Sequence, residues 1–572
     1  MWRADDNLTR FGYRTFDGIS SRLKGILNMH GDPRRIDSVS LNGRILTVDS
    51  AFSTVEALAV RDGRIVASGT TAEIRELARP GTRIDDLGGA VAMPGLLDQH
   101  NHLLSVSEML ADVQLFDARS IADILTRVDA AVERAAPGAW VVGRGWDESL
   151  LDERRFPTRW ELDRVAPDHP VVLHRVWNKL VCNSAALSAA GINRHTPQPG
   201  GAYAGGFDVD EDGEPNGLFR DRAKQLILDY VPDPTPAQRQ AALAAGCRAY
   251  NAVGLVGVCE PGLYDPDIRV YQATRDAGQL SVRTGMLLGT WGFRDVAREA
   301  HLKDWLTEFG VSSGFGDELL WLDGAKFLPD GGVGDRTARF YEPYAGESDY
   351  CGEWVIDPDE FPRLIRFVHD LGFAIDSHTC GTAAQDLAVR AYIDAQTANP
   401  KPQLHHRVHH AYFPSAEVLP LMAQHKIGAL VSTPFILNLG ESYVTSLGAE
   451  RASRTIPMRS YLDAGVPLAS SSDAPITDHN PWVGIYAAVA RKTVTGRQFD
   501  PAEKLTRQEA LRSYTCWAAA VTGHDASRGT LEPGKLADLI VLDRDPLSGA
   551  DEELRDTVVT RTMLGGEWVY ER

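Results

Sequence analysis

The stretch Met93-Pro94-Gly95-Leu96-Leu97-Asp98-Gln99-His100-Asn101-His102 decides how this chain is read. It is an apolar run that opens on a Pro-Gly turn and closes on two histidines two positions apart. On a β-strand, residues i and i+2 share a face, so His100 and His102 point into one cavity while Asn101 points away. Two neutral imidazoles converging at a strand end form half of a transition-metal site. A lone His-x-His is a weak signal, because two solvent-facing histidines give the same pattern. Its weight comes from what ends the apolar runs further along the chain.

Those runs are Trp140–Gly143, Val171–Arg175, Leu255–Cys259, Arg283–Leu288, Trp321–Leu328, Phe373–His378, Arg407–Ala411, Ile427–Ser432 and Pro467–Ser472. Helices are expected at Thr235–Ala252, Asp357–Leu371 and Arg507–Thr522, the second with Asp357 as N-cap and Pro358 in the first helical position. Continuous apolar strands alternating with helices are parallel βα units, and about eight of them make a (β/α)8 TIM-like barrel of the α/β class. An open doubly wound sheet is the alternative, but no G-x-G-x-x-G turn follows an early strand. Short β-type runs before about Val91 return after Gly534, with hairpin signals at Asp62-Gly63 and Gly565-Gly566. Neither end buries a core alone, so both termini are expected to build one small β-sandwich. The expected organisation is an N-terminal extension (1–37), a composite sandwich (38–92 and 528–572) and a barrel (93–527). A turn-rich insertion at about 142–235 is expected to cover the site.

The 572 residues, 43% hydrophobic and 24% charged, describe an ordinary globular enzyme. A formal charge of −19 without a basic block argues against nucleic acid or an anionic membrane as partner. No apolar run approaches the ~18–20 residues of a membrane span. Six scattered cysteines with no C-x-x-C pair read as reduced thiols of a cytoplasmic protein. A small-molecule substrate and a homo-oligomer, a dimer, are the expected partners.

In a barrel the chemistry sits at the C-terminal ends of the strands. The residues that end or interrupt the runs are His100 and His102, Lys326, His378, His410 and Asp473. Each has an ordinary structural explanation by itself, but together and in this order they form a metal-site pattern. A lysine within an apolar strand needs a partner. His409 competes with His410: strand alternation lets one of them face inward. His405 and His406 read as solvated.

The order of these residues resembles the amidohydrolase superfamily, in its YtcJ-like branch (amidohydrolase family 3), which includes N-substituted formamide deformylases. The resemblance runs from about Ser38 to Tyr570. It is carried by Pro94–His102, Gly143-Arg-Gly-Trp-Asp-Glu148, Asp212-Gly-Glu-Pro-Asn-Gly217, Lys326-Phe-Leu-Pro-Asp-Gly331, Asp335-Arg-Thr-Ala338, Ser472-Asp-Ala-Pro475 and Gly534-Lys-Leu-Ala-Asp538 with Leu542-Asp-Arg-Asp-Pro546. It implies His100 and His102 on the more buried of two metals and His378 and His410 on the more exposed one. Lys326 would be carboxylated on Nζ (N6-carboxylysine) to bridge them, and Asp473 would bind metal and shuttle the proton. Carboxylation turns a costly buried ammonium into an anion with two oxygen ligands. Two Zn2+ are the expected ions, with Mn2+ or Fe2+ as alternatives. The match to Arg407-Val-x-His-Ala favours His410 over His409.

The chain departs from the family pattern in places. His-Ala-Ile-Gly-Asp-Arg-Ala becomes His378-Thr-Cys-Gly-Thr-Ala-Ala, the glutamate before the fourth histidine is His409, and a usual insertion histidine is Asn178. The proposed ligands are spared, while groups that would meet a substrate change. Trp146, Asp330, Asn178 and His409 are the expected substrate-facing positions. Phe156, Trp160, Trp177, Phe340 and Tyr341 are further aromatic candidates. The implied activity is hydrolysis of a non-peptide C–N bond in a small organic substrate, Asp473 passing its proton to the leaving amine. The alternatives are ester or carbamate hydrolysis, deamination or decarboxylation on the same site. A metal-free scaffold would require lost ligand positions, and none is lost.

Overall fold

The Met93–His102 stretch crosses from one domain to another. Val91–Pro94 is a strand of one sheet, and after a single residue, Gly95, the chain enters Leu96–Asp98, a strand of a second. A Cβ on Gly95 would lie 2.4 Å from the Val256 side chain, so only glycine fits this crossing. The computed structural model describes residues 35–115, 117–148, 150–175, 179–200, 205–290 and 299–572.

The barrel strands are β1 (Leu96–Asp98), β2 (Leu255–Leu263), β3 (Arg283–Gly289), β4 (Leu320–Phe327), β5 (Ala374–His378), β6 (Arg407–His409), β7 (Gly428–Ser432) and β8 (Leu468–Ser471). They pair in parallel in chain order from β1 to β8. Ring closure between β8 and β1 comes from Gln99 N–H to the Ser470 carbonyl (3.4 Å) and Asp473 N–H to the His100 carbonyl (2.8 Å). β3, β4 and β7 are buried along their whole length, as expected of a parallel sheet covered by helices.

Both chain ends build the β-sandwich. One sheet carries Arg64–Gly69, Ala57–Arg61, Ser38–Leu41 and Arg83–Asp86; the other joins Thr54–Val55, Arg44–Leu46 and Val91–Pro94 to Leu539–Leu542, Val559–Leu564 and Glu567–Glu571. Val91–Pro94 pairs antiparallel with Leu539–Leu542, and Ile45, Leu58, Val60, Leu539 and Met563 share a buried cluster. Asp62 (φ +51°) and Gly63 (φ +72°) link the paired Arg61 and Arg64 as a tight hairpin.

The insertion differs from its sequence reading. Trp140–Gly143 and Val171–Arg175 were expected among the barrel-type runs. Instead Val141–Trp146 and Val171–Arg175 pair with each other in a separate six-stranded sheet whose edges are Val113–Gln114 and Phe207–Val209. The insertion sheet therefore begins before residue 142, in the β1–β2 connection. A short β-branched run has the same local pattern in either sheet, and only the pairing partner distinguishes them. Helix boundaries shift for local reasons. Thr235 caps Pro236–Ala252 with Gln238 as expected. Asp357-Pro358 forms a turn ahead of Phe361–Asp370, and the expected 507–522 helix breaks into Arg507–Ser513 and Cys516–Val521.

Candidate metal centre

Five strand ends converge on one end of the barrel. From β1 and the turn after β8 come His100, His102 and Asp473; Asp473 Oδ1 lies 2.9 Å from His100 Nε2 and 3.4 Å from His102 Nε2. From the end of β5 comes His378, and from the turns after β5 and β6 come Cys380 and His410, with the His378 and His410 ring centroids 4.4 Å apart. Within each trio the ligand atoms lie within 4.8 Å of one another. His100 and His410 stand 5.1 Å apart, so the two trios adjoin. His102 is the more open member, its side chain 29% exposed, while that of Asp473 is 10% exposed.

The chain builds this corner with buried hydrogen bonds. Asp98, at the end of β1, is fully enclosed and accepts from Ser472 N–H and O–H, Asn101 Nδ2 and His100 N–H. It ties the His-x-His segment to the Asp473 turn across the ring closure. Asn101 does point away from the trio: its Oδ1 accepts from the Tyr250 hydroxyl at 2.5 Å. Glu260, within β2, accepts from Leu104 N–H at 3.1 Å and anchors the helix Leu103–Ala111 that starts after His102. Burial lifts the Asp98 carboxyl to about 6 and that of Glu260 to about 7.

Lys326, on β4, is 9% exposed and donates from Nζ to His409 Nδ1 at 2.6 Å. Burial brings the lysine down to about 8 against the opposing pull of Asp376 and Asp473. His409 Nε2–H donates to Asp376 Oδ2 at 2.5 Å, and its Nδ1 also touches His100 Nδ1. Below them Arg407 joins Asp376 (2.7 Å) to Asp323, and Trp321 Nε1 donates to Asp323 at 2.9 Å.

Two expectations about histidines are corrected here. Both His409 and His410 face the centre. The strand ends at His409, and His410 (φ +67°) and Ala411 (φ +45°) leave it in left-handed conformations, so the alternation rule stops applying. His406 is 3% exposed rather than solvated: its Nδ1 accepts from Ile375 N–H at 3.0 Å and its Nε2 meets His369 Nδ1 at 3.0 Å.

The substrate-facing expectations fare differently. Trp146 is 1% exposed, donates to the Leu173 carbonyl and packs edge-on against Phe156 in the insertion's own core. Asp330 is enclosed, its oxygens accepting from Arg339, Cys380 and Gly381 N–H, which makes it a loop anchor 3.9 Å from His378. His409 lies on the barrel floor beneath the trios, not at the mouth. Phe340 is packed against Tyr344 and Phe413, whereas Tyr341 and Trp160 are exposed. Asn178 and Trp177 lie outside the described residues. Cys380 and Asp376 were missed, although His378-x-Cys380 repeats the spacing of His100-x-His102.

The trios fit divalent metals. Burial holds His100, His409 and His410 well below the usual imidazole range, and burial with the Lys326 charge brings His378 to about 4. Neutral imidazoles are the form that ligates. For Asp473 burial acts upward, but the adjacent His100 and His102 outweigh it and hold the carboxyl well below its ordinary value, so it stays anionic.

Comparison with known proteins agrees with this geometry. The amidohydrolase family pattern matches residues 83–570. The chain belongs to the amidohydrolase family. It is 30% identical to the YtcJ protein of Bacillus subtilis, over 93% of this chain and 98% of that one. It is also 30% identical to the N-substituted formamide deformylase of Arthrobacter pascens, over 94% of this chain and 98% of the other. An uncharacterized metal-dependent hydrolase from Pyrococcus furiosus superposes with a TM-score of 0.72 at 28% identity, covering 89% of this chain and all of that one. The amidohydrolase fold thus accounts for the barrel and sandwich, and family membership makes this chain a metal-dependent hydrolase. Among the described residues no helix is long and apolar enough to cross a membrane.

Proposed function

We propose that this amidohydrolase hydrolyses a non-peptide, amide-type C–N bond of a small organic substrate. The observation that carries the proposal is the pair of adjoining ligand trios with an ionised Asp473 in one of them. Similarity to a formamide deformylase over nearly the whole chain supports the bond type.

His100, His102 and Asp473 would hold one metal and His378 and His410 the other, Zn2+ by preference, with Mn2+ or Fe2+ as alternatives. Lys326, carboxylated on Nζ, would bridge them. A carbamate keeps one N–H, which can still donate to His409 Nδ1, and an amine brought to about 8 is more readily neutral and reactive toward CO2. When bound, the metals supply water acidified to near neutral pH and a Lewis acid for the substrate carbonyl. Asp473, whose Oδ1 faces both His100 and His102, takes the proton of the attacking water and returns it to the departing amine nitrogen. Asp98 and the Asp376–His409 pair keep these groups in register. The six cysteines are free, which fits a reducing, cytoplasmic setting.

The test is a hydrolysis screen of N-substituted formamides, acyl anilides, cyclic amides and carbamates with zinc- and manganese-reconstituted protein. Release of amine that depends on added metal is the expected result. Full activity in a stringently metal-free preparation would overturn the proposal.

A further inference from the structure

The trio at the ends of β5 and β6 holds one donor more than the family pattern assigns to that metal. Where the resemblance has His-Ala-Ile, this chain has His378-Thr379-Cys380. Cys380 is 3% exposed, and its Sγ lies 3.2 Å from His378 Nε2. A zinc bound at about 2.0–2.1 Å to nitrogen and about 2.3 Å to sulfur, near the tetrahedral angle, sets those two atoms about 3.5 Å apart. The Sγ–Nε2 spacing is therefore within a few tenths of an ångström of a chelating one, and Nε2 would give up its contact with the Gly331 carbonyl (3.1 Å) to bind the ion. The position is also held firmly: Asp330 accepts from Cys380 N–H and Gly381 N–H, which fixes the turn that aims the sulfur. The Tyr412 hydroxyl stands beside both Cys380 and His410 Nδ1.

We propose that the Cys380 thiolate is a ligand of the metal held by His378 and His410, and that this sulfur makes the position zinc-selective. The inference rests on the reading above that the trios hold metals. With Cys380 the two trios become equivalent: two imidazoles and one anion in each, Asp473 in the first and Cys380 in the second. Counting the Lys326 carbamate, each metal would then have four protein donors, and water or substrate would enter as a fifth. An anionic donor also offsets part of the divalent charge in a buried site. Thiolate is soft and favours zinc, whereas manganese prefers carboxylate, carbonyl and water oxygens. The step balances: Cys380 would lose its S–H proton to solvent and offer the sulfur lone pair so freed as the ligand.

X-ray absorption at the zinc edge of the full chain carrying two zinc ions tests this. A sulfur shell at about 2.3 Å beside the nitrogen and oxygen shell is expected, at about one sulfur for two zincs, and it should vanish in Cys380→Ser. Cobalt(II) loading gives a second readout, a near-ultraviolet sulfur-to-metal charge-transfer band present in the wild type and absent from the variant. In zinc–manganese competition the variant should retain more manganese than the wild type. A two-zinc protein without a sulfur shell, or a shell that persists in Cys380→Ser, overturns the role of Cys380 and leaves the hydrolase reading standing. A chain that takes up no metal overturns both.

Discussion

Arg407 joins two enclosed carboxylates beneath the metal centre, and replacing it by methionine tests how that floor is held. Its side chain is 1% exposed and those of Asp376 and Asp323 are 0% and 6% exposed. Removing one partner of a buried ion pair costs about 3–5 kcal/mol, because the other charge is left uncompensated. Neutral donors remain, His409 Nε2–H on Asp376 and both Trp321 Nε1–H and the Cys259 thiol on Asp323, so about 4 kcal/mol is expected for Arg407→Met. At an unfolding entropy of about 2.1 cal/mol/K per residue, over 572 residues, this lowers Tm by about 3 °C. Arg407→Lys keeps the charge but loses one arm of the fork, and is expected to cost about 1.5–3 kcal/mol. The pH dependence has a definite sign. Burial already raises Asp376, and Arg407 is the main influence opposing it. Without Arg407 the folded-state carboxyl pKa rises further above its unfolded value, so the variant is favoured in acid and loses stability as pH rises through the new folded value. Its deficit against wild type is therefore largest near pH 8 and shrinks toward pH 5. Scanning calorimetry at both pH values measures it. A methionine variant as stable as wild type at pH 8, or a deficit equal at both pH values, would refute the reasoning.

Three further outcomes are expected. Asp473→Asn retains the fold and much of the metal while kcat falls by about 10²–10⁴ or more; near wild-type turnover in a steady-state assay would make Asp473 structural. Lys326→Ala loses metal by elemental analysis, and added short carboxylic acids restore part of the activity by standing in for the bridge. In a crystal of the wild type, density would extend beyond Nζ between metals about 3.5–4 Å apart; a bare ammonium there would refute the bridge. His406, brought by burial to about 3, stays neutral in the fold, so its contribution is full above about 6.5 and is lost as pH falls toward 3. The stability difference between wild type and His406→Gln should narrow over that window in denaturant titrations, and a constant difference would count against a buried neutral imidazole.

What the sequence by itself determined is whatever depends on local period and on residue chemistry. His100 and His102 share a face because a strand repeats every two residues, and the eight-strand order follows from apolar runs alternating with helical ones. Thr235 with Gln238 caps its helix through contacts three residues apart. The tertiary structure decided what depends on partners distant in sequence. Val141–Trp146 and Val171–Arg175 carry strand-like runs whose sheet is set only by pairing with each other. Trp146 faces an insertion core assembled from segments the pattern does not connect. His409 and His410 both reach the centre because left-handed backbone follows β6, and His406 is enclosed because His369 and Ile375 come to meet it. Asp98 joins Ser472 across 374 residues. Periodicity shows which way a side chain leaves a regular element, but where the element ends, and what packs against it, is set by burial and hydrogen bonding across the whole chain.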